Sequence, residues 1–230
     1  MINKADIVFC DPERLASEIE RKIENITIIS EILDKYSSLT KNIAIEVPPQ
    51  IGPEKISFDC EKEYLSFNFE LNRLNLYFGS LKKNDVSVVS LPSEEKIVNG
   101  AKRQLGTKNA LEYIYDVDKA VLKADLISEL VFGLDVFIFK RTKKNLFLTS
   151  HSSISNVFLT GFSVLNNVPN NDFEIIEALK KLDAKSVILR GEIPEQDYWQ
   201  LRTKFENDLT GTEVLHLFMF DGNALICKKL

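Results

Sequence analysis

The feature that most constrains this fold is an alternation of apolar and polar residues between positions 56 and 91. It recurs in the segments ISFDC, YLSFNFE, RLNLYFG and DVSVVSL. Successive side chains of a β-strand point to opposite faces, so alternation places the apolar residues on one face and the polar residues on the other. Sheets with one solvated face are typically antiparallel. This stretch therefore predicts an antiparallel β-meander.

A strand, a helix and a second strand precede the meander. The run ADIVFC predicts a short buried strand. Asp11 and Pro12 follow it, and both suit the start of a helix, as N-cap acceptor and as first helical residue. Apolar residues at steps of three and four continue the helical pattern to about Tyr36. NIAIEV then predicts a strand that ends at Pro48 and Pro49.

The C-terminal half alternates between helical and extended patterns. Helices are predicted over SEEKIVNGAKRQLG, within KNALEYIYDVDKAVLKADLISELVFG, over NNDFEIIEALKKL and over PEQDYWQLRTKFEND. FIFKRTKKNLFLTS predicts a β-hairpin, KSVILR a buried strand, and Asp221-Gly222 a hairpin turn. SISNVFLTGFSVL fits a strand or a loop.

These elements define the fold class and the domains. The class is mixed α+β and α/β: an N-terminal helix with an antiparallel meander, then β-α-β units and β-hairpins. The sequence LPSEE at 91–95 marks the one internal boundary. We predict an N-terminal domain over 1–92 and a C-terminal α/β region over 93–230, with a single continuous domain as the alternative.

Composition limits the classes of function. The chain has 29 Lys and Arg against 34 Asp and Glu, a net charge of −5. That balance argues against a protein devoted to coating phosphate backbones. We find no apolar run of the roughly 18 residues that span a membrane, and no apolar signal-peptide core near the N-terminus. We therefore predict a cytoplasmic protein with no membrane contact. The three cysteines are widely spaced, which favours free thiols.

The sequence lacks the strong catalytic motifs. It has no phosphate-binding loop, no G-x-G-x-x-G turn and no G-x-S-x-G elbow. Its two histidines are His151 and His216. His216 alternates with apolar residues and fits a hydrogen-bonded strand histidine. We predict no cofactor and no metal. Whether the protein is an enzyme is left open, and a protein that is not an enzyme is favoured.

One catalytic alternative is a metal-dependent nuclease. Glu129, Asp135 and the hairpin after them follow the order in which some nucleases present magnesium ligands. The second hairpin strand, LFLTSHS, carries neither the acid nor the lysine that this chemistry requires. His151 ends that strand and completes the alternative catalytic set.

The turn of the predicted hairpin is strongly basic, with Lys140, Arg141, Lys143 and Lys144. It could contact a protein partner, or phosphates in a salt-dependent way, although lysines also keep hairpin turns soluble. We predict a non-catalytic interaction or scaffold subunit of a larger assembly, which contacts a protein partner through this turn and through loops such as PPQIGP. The alternative is a nucleic-acid-binding or degenerate nuclease-like protein. Oligomerisation is left open.

Overall fold

The structure is a computed structural model that describes residues 4–12, 25–191 and 193–230. The strands are β1 (Val8–Cys10), β2 (Ile43–Val47), β3 (Glu61–Phe67), β4 (Glu70–Tyr77), β5 (Val86–Leu91), β6 (Lys96–Val98), β7 (Tyr113–Val117), β8 (Phe137–Arg141), β9 (Leu146–Ser150), β10 (Leu159–Pro169), β11 (Ala184–Gly191), β12 (Glu213–Met219) and β13 (Asn223–Lys229). The helices are α1 (Asn25–Tyr36), α2 (Lys119–Ala124), α3 (Ile127–Leu130), α4 (Asp172–Lys181) and α5 (Tyr198–Glu206).

The chain divides into two compact units. Unit 1 comprises Met1–Gln104 with Asp118–Leu134, and unit 2 comprises Leu105–Val117 with Asp135–Leu230. Both units combine strands with helices, and this confirms the predicted mixed fold class. The stretch at 91–95 lies inside unit 1.

Unit 1 is built on a six-stranded sheet in the order β1-β2-β4-β3-β5-β6. The alternating stretch does form strands, but the sheet is mixed because β3 pairs in parallel with β5. A tight turn through Asn68 and Phe69, both with positive φ, joins β3 to β4, and the chain then crosses to the far side of β3. β1 and β2 are also parallel.

Two helices of unit 1 pack on this sheet. α1 lies against β2, and α2 packs against β3, β4 and β5. Asp118 caps α2 by accepting a hydrogen bond from the Ala120 amide at 2.7 Å. Its second oxygen accepts a hydrogen bond from the Ser66 hydroxyl. Because Asp118 and Ser66 are both buried, this contact fixes the start of α2 on β3. The predicted start of α1 near Pro12 lies outside the described residues.

The predicted helices between residues 93 and 133 are largely wrong. Lys96–Val98 form β6, antiparallel to β5, and the chain from Gly100 to Gly106 has no helix. YIYDV is β7, which pairs with β9 and β10; its aromatic and β-branched residues are compatible with the pleated surface that these pairings form. Helix remains only in α2 and α3.

Unit 2 contains a seven-stranded sheet in the order β11-β12-β13-β10-β7-β9-β8. β11 and β12 are parallel, and α5 connects them. The predicted hairpins β8–β9 and β12–β13 are confirmed, as are α4, α5 and β11. The segment that fitted a strand or a loop contains β10.

The seven-stranded sheet curls around an aromatic interior. The rings of Phe147 on β9 and Phe218 on β12 lie 5.6 Å apart, although β7, β10 and β13 separate their strands. Phe162 on β10 lies 5.0 Å from Phe218, edge to face. The opposite face packs on α4 and α5 through residues such as Leu179 and Phe205. The sheet therefore has a core on each side.

The cysteines and the helices bear on two further predictions from the sequence. Cys10, Cys60 and Cys227 are free thiols, and the last two are buried. No helix among the described residues is long and apolar enough to cross a membrane.

Candidate functional site

The carboxyl ends of the parallel strands β1 and β2 lie side by side in unit 1. The register pairs Val8 with Ile43 and Cys10 with Ile45. Asp11 and Pro12 directly follow β1, and Pro48 and Pro49 follow β2. In open α/β sheets, ligands bind outside the carboxyl ends of the strands. A ligand site is therefore expected at the carboxyl ends of β1 and β2.

A cleft of about 460 Å³ opens between the end of β1 and helix α1. That volume lies in the range of small-molecule sites, roughly 300–1,000 Å³. Its apolar lining comes from Phe9 on β1 and from Ile28, Ile32 and Tyr36 on α1. Ile28, Ile32 and Lys35 recur at steps of four and three, which places them on one side of the helix. We call this space the β1–α1 cleft.

The charged groups of the β1–α1 cleft are two carboxylates, Asp11 and Glu31, and the Lys35 ammonium. Asp11 is exposed at the end of β1, and the Lys35 ammonium lies 5.2 Å from the centre of the Tyr36 ring. Burial raises the pKa of the Cys10 thiol, and the nearby Lys35 charge offsets this only in part. Cys10 is therefore a neutral thiol near pH 7 rather than an activated nucleophile. The cleft can hold a flat apolar group and orient a hydrogen-bond donor.

β1 itself is less buried than its sequence predicts. Ile7, directly before β1, and Phe9, on β1, are 56% and 61% exposed, so the prediction of a buried strand is wrong. β1 is the terminal strand of the sheet, paired on one side with β2, and Phe9 lines the open β1–α1 cleft. The sequence signal that could have located the cleft is an Asp-Pro directly after an apolar strand.

The alternative catalytic residues lie on or beside different elements of the two units. Glu129 lies on α3 in unit 1, where its side chain is 4% exposed and Lys102 lies 3.8 Å away. Asp135 precedes β8 in unit 2. His151 is exposed and its Nδ1 lies 2.8 Å from Glu112 Oε2. Within residues 4–12, 25–191 and 193–230, no group of three His, Cys, Asp or Glu side chains could hold a metal ion. A metal-dependent role for these residues gains no support.

The four basic residues of the β8–β9 hairpin differ in position. Lys140 and Arg141 belong to β8, and Lys140 is half-buried. Lys143 and Lys144 are exposed in the turn, which Thr142 closes through hydrogen bonds with Asn145. A contact role for these residues stays a prediction.

Comparisons with known proteins give one informative likeness. No protein-family model matches the sequence, and no curated protein matches it. A crystal structure described as that of a "putative methyltransferase" from Porphyromonas gingivalis W83 superposes on 97% of the chain with a TM-score of 0.73 and 16% identity. The chain spans 59% of the length of that structure. At this identity the likeness establishes a shared fold.

This likeness corrects the functional prediction. The sequence led us to a non-catalytic interaction or scaffold subunit, yet nearly the whole chain superposes on a protein described as a "putative methyltransferase". The prediction of a non-catalytic scaffold is therefore wrong. The alternative of a nucleic-acid-binding or degenerate nuclease-like protein is not supported either. The sequence contains no complete local catalytic motif, and the shared fold is a property of the whole chain that no local motif reveals.

Proposed function

We propose that this chain is part of a methyltransferase, and that the β1–α1 cleft forms the acceptor side of its methyl-transfer site. The proposal is carried by the position of the cleft. It lies at the carboxyl end of a parallel strand pair, in a fold shared with a protein described as a "putative methyltransferase".

The chain does not fit a complete site for the methyl donor. S-adenosylmethionine, the common biological donor, carries a nucleoside, and nucleoside cofactors on such sheets bind at a glycine-rich turn between a strand and a helix. The sequence contains no such motif, and residues 13–24, which follow β1, include no glycine. The turn after β2 begins with Pro48 and Pro49 instead. We therefore assign no donor-binding step to these residues.

The residues of the cleft suit a methyl acceptor. An N–H or O–H acceptor must present a lone pair and release a proton, and a carboxylate within hydrogen-bond reach assists both. Asp11 supplies this carboxylate at the end of β1. Phe9 and Tyr36 offer aromatic surfaces for a flat or apolar part of the acceptor. Asp11 would orient and deprotonate the acceptor, while the rings would hold it.

The test is an Asp11→Asn substitution at the native locus. Cells are labelled with methyl-tritiated methionine, which they convert to S-adenosylmethionine, and incorporation is measured separately in protein, nucleic-acid and small-molecule fractions. General bases contribute roughly 100- to 10,000-fold, so we expect one labelled species to fall at least tenfold.

Asp34→Asn is the matched control, because Asp34 is an exposed carboxylate on α1 that does not line the cleft. It should leave the labelling unchanged. Identical labelling patterns in parent, Asp11→Asn and Asp34→Asn cells, with equal protein levels, would overturn the proposal.

A further inference from the structure

We propose that unit 2 carries a second ligand site, which binds a zwitterionic amino acid or a dipeptide. The site is a cleft of about 360 Å³ that involves β8 and the β12–β13 turn. We call it the asparagine cleft. All of its lining residues belong to unit 2, and the proposal does not depend on methyl transfer.

The apolar part of the asparagine cleft is aromatic. The rings of Phe139 and Phe220 lie 5.2 Å apart with an angle of 83° between their planes. Phe220 also contacts Phe147 of the sheet interior at 5.7 Å. Because Phe220 is anchored in this interior, the two rings provide a fixed surface against which an apolar or aromatic side chain can pack.

The polar part consists mainly of carboxamides. Asn109, Asn167 and Asn223 line the cleft. Asn223 Nδ2 donates a hydrogen bond to Asn167 Oδ1 at 3.0 Å. That bond leaves Asn223 Oδ1 and the Asn167 amide group for a ligand, because each carboxamide has two donor hydrogens and an acceptor oxygen. Such alternating donors and acceptors match a peptide group.

The cleft also contains one charge of each sign. Lys140 and Asp221 line it, and neither has an ion-pair partner within the described part of the chain. A ligand carboxylate would pair with the Lys140 ammonium, and a ligand ammonium would pair with Asp221. The charges of Lys140 and Asp221 sum to zero, which favours a zwitterionic ligand. A simple anion would pair with Lys140 but would be repelled by the Asp221 carboxylate.

The backbone around the cleft is well fixed. Asn170 Nδ2 donates a hydrogen bond to the Phe220 carbonyl at 2.8 Å, and the Phe220 amide donates to the Asn223 carbonyl at 3.1 Å. Gly222, with φ of 88°, closes the turn between them. A turn held in this way presents its side chains with little ordering cost on binding, which favours recognition of a small ligand.

The experiment titrates the purified chain with L-phenylalanine and with glycyl-L-phenylalanine by calorimetry and by chemical-shift mapping. We expect a Kd tighter than about 1 mM for at least one probe, the level of roughly −4 kcal/mol. N-acetyl-L-phenylalanine and L-phenylalaninamide, which each lack one ligand charge, should bind at least tenfold more weakly.

Substitutions then assign each charge. Lys140→Ala should weaken binding of the zwitterion at least tenfold, and Asp221→Ala should do the same. Each loss of affinity should depend on the ligand charge that the substituted residue binds. Asp221→Ala should hardly affect the N-acetyl probe, which lacks the ammonium. Lys140→Ala should hardly affect the amide probe, which lacks the carboxylate. Lys143→Ala is the control, because Lys143 lies in the same hairpin and does not line the cleft.

The proposal fails if no probe binds with a Kd tighter than about 1 mM, or if Lys143→Ala weakens binding as much as Lys140→Ala. Preserved binding of sulfate or phosphate alone, insensitive to Asp221→Ala, would also overturn it in favour of a simple anion site. Circular dichroism of each variant separates loss of binding from loss of folding.

Discussion

Lys96 Nζ lies 2.8 Å from Glu61 Oε1 in unit 1, where the Glu61 residue is only 1% exposed. The same carboxylate accepts hydrogen bonds from the Ser87 hydroxyl at 2.6 Å and from the Lys83 and Asn84 amides at 2.8 and 3.1 Å. A buried carboxylate is costly unless it is paired and fully hydrogen-bonded. Glu61 meets both conditions and ties β3, β5, β6 and the loop before β5 together.

The ionisation of Glu61 should make unit 1 sensitive to acid. Burial acts to raise the pKa of Glu61, but hydrogen bonds from Lys96, Ser87 and the loop amides outweigh it and lower the pKa to about 2. The folded pKa lies below the unfolded value of about 4.3, so the stabilisation is present above pH 4.3 and is lost as the pH falls towards 2. The difference between these two pKa values limits the contribution of Glu61 ionisation to the free energy of unfolding to about 3 kcal/mol. Urea unfolding between pH 7 and 2.5 should show this loss, and Glu61→Gln should reduce it.

Glu70→Gln is the control for that measurement. Glu70 is an exposed carboxylate on β4, and its removal should leave the acid dependence unchanged. An equal acid dependence in the parent and Glu61→Gln proteins would show that the network does not stabilise the fold through its charge.

Removal of the cation from this network should be costly. Lys96→Met leaves the buried Glu61 carboxylate without its charged partner, and because Lys96 is partly exposed we expect a loss of roughly 1–3 kcal/mol, below the 3–5 of a wholly buried pair. Lys82→Met removes contacts with Asp59 and Asp85, which are exposed. It should destabilise the protein clearly less than Lys96→Met does, because solvent screens these charges. Denaturant melts at pH 7 compare the two, and equal losses would contradict the role assigned to burial.

His216 should confer a separate acid sensitivity on unit 2. It is buried and accepts a hydrogen bond from Arg190 Nε at 3.0 Å. Burial lowers its pKa to about 4, with a smaller effect of the Arg190 charge. The unfolded histidine binds a proton below about pH 6.5, and the folded one does not. The free energy of unfolding should therefore decrease as the pH is lowered from 6.5 to 4.

The measurement compares unfolding midpoints at pH 7 and pH 5 for the parent and two variants. His216→Gln should abolish most of the difference between the two pH values. His151→Gln should not, because His151 is exposed at the surface beside Glu112. A pH dependence unchanged by His216→Gln would contradict the proposed cause.

His216 also shows what a sequence can predict here. Its alternation with apolar residues indicated a hydrogen-bonded strand histidine, and the structure confirms it. The hairpins and the strand–helix–strand unit of the C-terminal half followed from turn residues and local periodicity. These signals involve residues that are close in sequence, so they can be identified without knowledge of the fold.

The errors came from contacts that are distant in sequence. YIYDV became a strand because it pairs with β9 and β10, and neither pairing is encoded locally. Phe9 is exposed in the cleft between β1 and α1, and the placement of α1 is not encoded in the sequence of β1. The asparagine cleft combines residues from positions 109 to 223, a juxtaposition that only the curled sheet creates. The sequence identifies which residue types are present, but it does not predict which of these residues lie close together in the fold.

A glycine in the parallel pair of unit 2 gives a final test of the fold. Gly191 on β11 has φ of 102°, and a Cβ there would lie 2.5 Å from the Met219 carbonyl oxygen on β12. Gly191→Ala therefore combines an unfavourable backbone conformation with a backbone clash, and we expect a loss of more than about 2 kcal/mol. Gly222→Ala has the positive φ without the clash, since nothing lies within 4 Å of its Cβ, and should cost about 1–2 kcal/mol. Thermal melts of both variants measure the difference. If Gly191→Ala proved no more destabilising than Gly222→Ala, β11 and β12 would not approach each other as closely as the structure shows.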